Sequence, residues 1–279
     1  MKIIPIKQLS LLACLSIAVF SCNKEDKNPT PSGTDNTKIV ELTSQKAITD
    51  AYYDDLSAEV LVANTDNGLS AQPENQQDIC ATVTVTPKDP AIWPKTVTLD
   101  YGSTGCTGLN GNLRKGKVIY TIDKKLLNTG AKITVSFDNY TVNGYKLEGA
   151  LTITNNGSLN GLNVTIQLTN GKVTYPDGKW YTRSSTTTWV QSAGLVTLSL
   201  LDDEYNVTGN GTISSSDGNT LTAASKTNLL RKASCINTVS GLMDLTFNNI
   251  AGVLDFGNGE CDKKAVITIA GKQYEVTLP

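Results

Sequence analysis

Ala81-Thr82-Val83-Thr84-Val85-Thr86 alternates an apolar with a hydroxyl side chain at every step. Successive side chains of a strand point to opposite faces, so this pattern makes one wet face and one buried face, whereas a helix would scatter it around its circumference. The same period recurs to the C-terminus and predicts strands near 80–86, 95–101, 116–122, 131–138, 145–154, 162–169, 172–175, 179–190, 195–200, 204–213, 219–225, 237–247, 250–256, 264–269 and 272–278. Dipeptides suited to tight hairpins separate many of them, among them Asn143-Gly144, Asn170-Gly171, Asp177-Gly178, Asp217-Gly218 and Ala270-Gly271. The fold class is therefore all-β, a long antiparallel meander. Gly149, Gly209 and Gly241 interrupt otherwise good strands, as bulges or bends do, and such kinks let a long sheet curl. So many strands do not stay flat, and the expected architecture is a sandwich or a partly open barrel.

Working outward, two stretches say nearly the same thing. Leu99-Asp100-Tyr101-Gly102-Ser103-Thr104-Gly105-Cys106 is matched by Leu254-Asp255-Phe256-Gly257-Asn258-Gly259-Glu260-Cys261. Each closing cysteine has a partner 26 positions upstream, Cys80 for Cys106 and Cys235 for Cys261. Four cysteines allow three pairings, and the repeated spacing selects Cys80 with Cys106 and Cys235 with Cys261. A zinc knuckle needs cysteines two to four residues apart, a spacing these do not have.

Before the strands, Ile48, Tyr52, Leu56 and Val60 recur every four residues, predicting one short amphipathic helix over 44–64 with Asp54, Asp55 and Glu59 elsewhere on its circumference. Residues 65–79 read as a loop. Residues 80–279 then form a single β domain with a cysteine hairpin at each end.

The N-terminal residues 1–21 carry Lys2 and Lys7 and then an apolar run from Leu11 to Phe20, too short to span a bilayer and shaped like a secretory signal. The run ends Ala18-Val19-Phe20-Ser21-Cys22, which resembles the lipobox of bacterial lipoproteins, where the cysteine is acylated and becomes the first residue. That resemblance implies a membrane partner reached through a lipid anchor on Cys22, each buried methylene contributing about 0.8 kcal/mol. Lys24-Glu25-Asp26 resembles the export signal that sends lipoproteins of Bacteroidota to the outer face of the outer membrane. Residues 22–43, with Pro29, Pro31 and small polar side chains, read as a flexible tether.

Composition narrows the chemistry. The 279 residues contain no histidine, which removes the usual general base and the commonest zinc ligand. Charged residues make up 18% with a net of -2, and loss of Lys2 and Lys7 with the signal makes the balance more acidic, so nucleic acid is not an expected partner.

Several short motifs together are similar to an uncharacterised family of Bacteroidota surface lipoproteins: Thr96-Val97-Thr98-Leu99-Asp100-Tyr101-Gly102, Ser136-Phe137-Asp138-Asn139-Tyr140, Leu147-Glu148-Gly149, Asp203-Glu204-Tyr205-Asn206-Val207-Thr208-Gly209, Arg231-Lys232-Ala233-Ser234-Cys235 and Gly271-Lys272-Gln273-Tyr274-Glu275-Val276. The resemblance spans residues 45–279 and implies location and fold but no activity. One departure is the run after Cys106, Thr107 to Asn112, where the family more often has an acidic-glycine-arginine turn.

No residue set in the sequence specifies a reaction. Asp100, Asp255, Glu260 and Asp262 offer oxygen ligands suited to calcium, but an aspartate before an aromatic residue and glycine is ordinary turn chemistry, and no metal or other cofactor is expected. Asp202 with Asp203 and Asp54 with Asp55 are adjacent acids whose side chains diverge, unlike a glycosidase pair. Arg114-Lys115 and Arg231-Lys232 read as a solvated rim beside the cysteine hairpins. Trp180, Tyr181 and Trp189 are the expected ligand platform, stacking on a glycan. The expected role is binding or scaffolding outside the cell, with a glycan or an envelope protein as partner and no catalysis; the alternative is a glycan-binding or glycan-degrading accessory protein in nutrient capture.

Overall fold

The computed structural model describes residues 33–65, 80–108, 111–157, 161–194 and 202–279. A helix, α1 (Gly33–Thr65), precedes fifteen strands: β1 (Thr82–Thr86), β2 (Lys95–Asp100), β3 (Cys106–Thr107), β4 (Leu113–Ile122), β5 (Lys132–Val142), β6 (Tyr145–Asn155), β7 (Asn163–Thr174), β8 (Trp180–Ala193), β9 (Glu204–Ser215), β10 (Thr220–Ser225), β11 (Leu229–Lys232), β12 (Thr238–Phe247), β13 (Ile250–Asn258), β14 (Lys264–Ile269) and β15 (Lys272–Thr277). They form one 15-stranded antiparallel sheet in the order β1-β2-β4-β5-β6-β7-β8-β9-β10-β12-β13-β14-β15, with β3 on β4 and β11 bridging β9 and β12. The meander read from the alternation is thus the observed topology.

Because every strand has one apolar face, the sheet buries it by curling, and α1 fills the interior. From Leu42 to Asn64 none of the described helix side chains is exposed. Tyr53 donates its hydroxyl to the Glu148 carbonyl of β6 at 2.6 Å, Asn64 donates to the Tyr120 hydroxyl of β4 at 3.1 Å, and Asn36 donates to the Tyr274 hydroxyl of β15 at 3.2 Å. One core cluster accordingly runs from Ile39 and Leu56 of the helix through Val97, Tyr120, Ile153, Trp189 and Leu245 to Val276. Among the described residues β1 and β15 do not pair with each other, so the wrap is a partly open barrel around a helical axle.

The helix is longer than periodicity predicts. It begins at Gly33, so residues 33–43 of the expected tether are helical, while 22–32 and the body of the expected 65–79 loop lie outside the described residues. Enclosure explains its many hydroxyls: Thr43 donates to Ile39 O and Ser57 to Tyr53 O, each at 2.7 Å, so groups with no water nearby are satisfied one turn back.

Glycines mark the bends as expected. Register shifts fall between Glu148 and Ala150 and between Ser240 and Leu242. At Gly209, β9 changes neighbours: it pairs β11 through Val207 and β10 from Asn210 onward. Asn170-Gly171, expected as a hairpin turn between two strands, is instead a register shift inside β7. β3 and β11 were not anticipated by the alternation, and the strand expected at 195–200 lies outside the described residues.

Candidate functional site

The two cysteine pairs close as the repeat predicts, Cys80 with Cys106 and Cys235 with Cys261. In each twin motif the aspartate caps its own turn, Asp100 Oδ1 accepting from Gly102 N at 2.9 Å and Asp255 Oδ1 from Gly257 N at 2.8 Å. Asp262 does the same for Lys264 N at 3.0 Å. Three of the four acids weighed as calcium ligands, Asp100, Asp255 and Asp262, are therefore engaged in separate turns, and no group of three metal-ligating side chains occurs among the described residues.

Of the Arg114-Lys115 and Arg231-Lys232 pairs only the lysines fit a solvated rim, Lys115 being exposed and Lys232 half-buried. Arg114 and Arg231 are buried and point inward, where the helix meets them with acids. Arg114 reaches Asp55, and also Glu59 at 3.0 Å; Arg231 Nη1 lies 3.1 Å from Asp54 Oδ2; a third arginine, Arg183 of β8, donates Nε to Asp50 Oδ1 at 2.7 Å. Lys46 completes the set on Asp50. Strand parity is the reason: each arginine takes an inward position, and only a carboxylate on the enclosed helix can compensate a buried guanidinium. Arg231 also lies over the Trp189 ring, 5.4 Å from its centroid, and Arg183 Nη1 donates to the carbonyls of Ser184 and Thr212 at 2.8 and 3.2 Å.

The charges are unevenly shared. Burial pushes Glu59 up to about 7, against the pull of Arg114 and with Asp55 adding repulsion. Burial likewise raises Asp54 to about 6, opposed by Arg231 and helped by Asp50. For Asp50 burial acts upward too, but Arg183 and Lys46 outweigh it and hold the carboxyl below its ordinary range; burial lowers Lys46. A cavity of about 40 Å³ lies among Lys46, Asp50, Asp54, Arg183 and Arg231, room for ordered water but not for a sizeable ligand.

The predicted aromatic platform does not form. Alternation along β8 sends Tyr181 and Trp189 inward, where they are 5% and 2% exposed, and only Trp180 faces out at 36%. Tyr181 packs edge-on against Tyr175 with ring centroids 5.2 Å apart, and Trp189 against Tyr205 at 5.5 Å. Neither is open to stack on a glycan. Trp180 is covered in part by Lys172, 5.1 Å from its ring centroid.

A further hollow lies on the opposite, outward face of the sheet. A groove of about 500 Å³ crosses β7, β8, β9, β10 and β12, lined by Gln167, Ser184, Thr186, Asn210, Thr212 and Asp244 with smaller neighbours. Five groove positions continue a row of outward side chains, all polar but Ala224, in which directly opposed residues run Thr86, Thr96, Thr121, Thr134, Thr152, Gln167, Thr186, Asn210, Ala224 and Asp244. Such a face suits water, the reverse of a lipid-facing barrel wall. The hydroxyls show in the sequence as strand alternation, but the row exists only once the register of ten strands is set.

Comparison with family models, with curated proteins and with solved structures returned no match.

Proposed function

We propose that this chain is an exported lipoprotein, acylated on Cys22 and displayed on the outer membrane facing the cell exterior, that binds or scaffolds another molecule without catalysing a reaction. The observation that carries the reading is the closure of both cysteine pairs, which suits an oxidising compartment and agrees with the signal-like N-terminus and the cysteine that ends it. The outward groove supports the binding role: at about 500 Å³ it has room for a small ligand, and most of its lining side chains carry a hydroxyl or an amide. The second reading, glycan degradation, needs two facing carboxyl groups; the lining has one acid, Asp244, held by Lys226 at 3.0 Å.

Metabolic labelling with an alkyne fatty acid tests the anchor. The native chain takes up label and Cys22→Ala does not; label retained by Cys22→Ala overturns the acylation site. Protease added to intact cells tests display. Digestion of the β domain supports surface exposure, and protection until the cells are lysed overturns it.

A further inference from the structure

We infer that the outward groove binds a neutral carbohydrate, held by hydrogen bonds rather than by aromatic stacking. This rests on the reading of the outer face as the binding face and names the ligand class for it. The chemistry of the lining decides the class. Ser184, Thr186 and Thr212 offer hydroxyls, each a donor and an acceptor, and Gln167 and Asn210 offer amides that donate and accept on adjacent atoms. Sugar hydroxyls carry the same dual capacity, so a polyhydroxylated chain can satisfy such a surface at many points.

Other ligand classes fit poorly. The lining contains no lysine or arginine, so phosphate, sulfate and nucleic-acid backbones lack a counter-charge. It contains no aromatic ring, and Leu168 is its one large aliphatic side chain; the rest of its apolar surface is small methyl and methylene groups set among hydroxyls and amides, which an apolar ligand would leave without partners. Asp244 is the one charged group and Lys226 neutralises it from beside the groove.

The groove is also held ready. Gln167, Ser184, Thr186, Asn210 and Thr212 use none of their side-chain polar atoms in hydrogen bonds among the described residues, whereas Thr222, behind them, bonds to Thr246 O. The floor is fixed from inside: Arg183 ties the carbonyls of Ser184 and Thr212 while Asp50 holds its other edge. Gly211 lines both the groove and the inner cavity, and an added Cβ there would run into the Arg183 guanidinium. The outer hydroxyls thus stand on a wall that the buried ion pairs keep in place, which lowers the ordering cost of binding.

The test uses the native protein in detergent micelles on an array of neutral, uronic and sulfated oligosaccharides, followed by titration calorimetry with the best neutral chain. The native protein binds neutral chains. Thr186→Val with Asn210→Ala weakens binding by about thirtyfold, two lost hydrogen bonds of about 1 kcal/mol each. Thr134→Val, on the same row but outside the groove, and Trp180→Ala stay within about twofold. Thermal melting checks each variant, and Gln167→Ala with Thr212→Val replaces the first pair if that pair melts early. Binding restricted to uronic or sulfated chains, no binding by the folded native protein, or a loss at Thr134→Val or Trp180→Ala matching that of the groove pair overturns the inference. Fatty-acid label on a chain that binds no glycan would sink this inference and leave the anchor standing; glycan binding by an unlabelled chain would do the reverse.

Discussion

Arg183 Nε and Asp50 Oδ1 meet at 2.7 Å across the interior, joining the middle of β8 to the enclosed helix. The arginine side chain is 5% exposed and the aspartate 25%, so neither charge can be left alone without cost. Arg183→Met is expected to lower unfolding stability by about 3 kcal/mol, because it leaves the half-buried Asp50 carboxylate with Lys46 alone and frees two strand carbonyls. Asp50→Asn carries a similar penalty for the guanidinium. The two together cost less than their sum by about 1 to 3 kcal/mol. Urea unfolding of the three variants measures this, and simple additivity would show that the pair is not coupled.

Gly149 has φ +124°, and a Cβ built on it would sit 2.7 Å from the Gly171 Cα of the neighbouring strand. Gly149→Ala is therefore expected to cost about 3 kcal/mol, from backbone strain and overlap together. Gly178, in the hairpin between β7 and β8, has φ +86° but nothing within 4 Å of the same position. Gly178→Ala meets only the torsional part and should cost about 1 kcal/mol. Equal losses at the two sites in chemical denaturation would mean that the strand crossing at Gly149 is not close.

What the sequence made legible divides along the same line as these two cases. Thr82 to Thr86, the twin Leu-Asp-aromatic-Gly turns and Gly149 announce themselves locally, because strand period, turn chemistry and the demand for positive φ are properties of a few neighbouring residues. Arg114, Arg231, Asp54, Asp55 and Glu59 do not: charge favours a solvent reading until the curled sheet supplies a partner from a distant segment. The helical turns before Ser44 were hidden likewise, since Thr37, Thr43 and Ser44 are weak helix formers, stabilised here by burial of Ile39 and Leu42. Trp189 is no ligand residue because its parity along β8 turns it into the core, although a rare tryptophan in a strand reads equally as a stacking surface. The groove row was illegible because it depends on register across ten strands.

The Cys235–Cys261 bridge spans 26 residues, and Cys80–Cys106 spans the same distance. Loop closure in the unfolded chain gives each about 3.5 kcal/mol on the chain-entropy account. Cys235→Ser with Cys261→Ser is expected to lose about that amount in urea, and the equivalent change at Cys80 and Cys106 a similar amount. Mass mapping of the unreduced native protein returns the two 26-residue links and no cross-link between the halves.

Acidification should stabilise the fold over a defined window. Glu59 rises from its ordinary 4.5 to about 7 and Asp54 from 3.8 to about 6, burial being the main cause for both. A carboxyl raised in the folded state binds its proton there before the unfolded chain does. Its contribution is complete below the unfolded pKa and is lost as pH climbs through the folded one. Stability from Glu59 therefore falls between about pH 4.5 and pH 7, and that from Asp54 between about 3.8 and 6. Lys46, lowered by burial, works in the opposite sense, since its neutral form is favoured in the fold and its contribution is lost as pH falls through its folded value. Asp50, held low by Arg183 and Lys46, works in that same sense, its contribution being present above the ordinary aspartate value of 3.8 and lost as pH falls below it. Comparison of the native protein with Glu59→Gln isolates one group from these opposing trends. Between about pH 5.5 and pH 8 the native chain should lose more unfolding free energy than the variant, because the variant cannot ionise at that position. Parallel curves for the two proteins would mean that the Glu59 carboxyl is ionised across the whole range, with Arg114 able to hold two carboxylates at once.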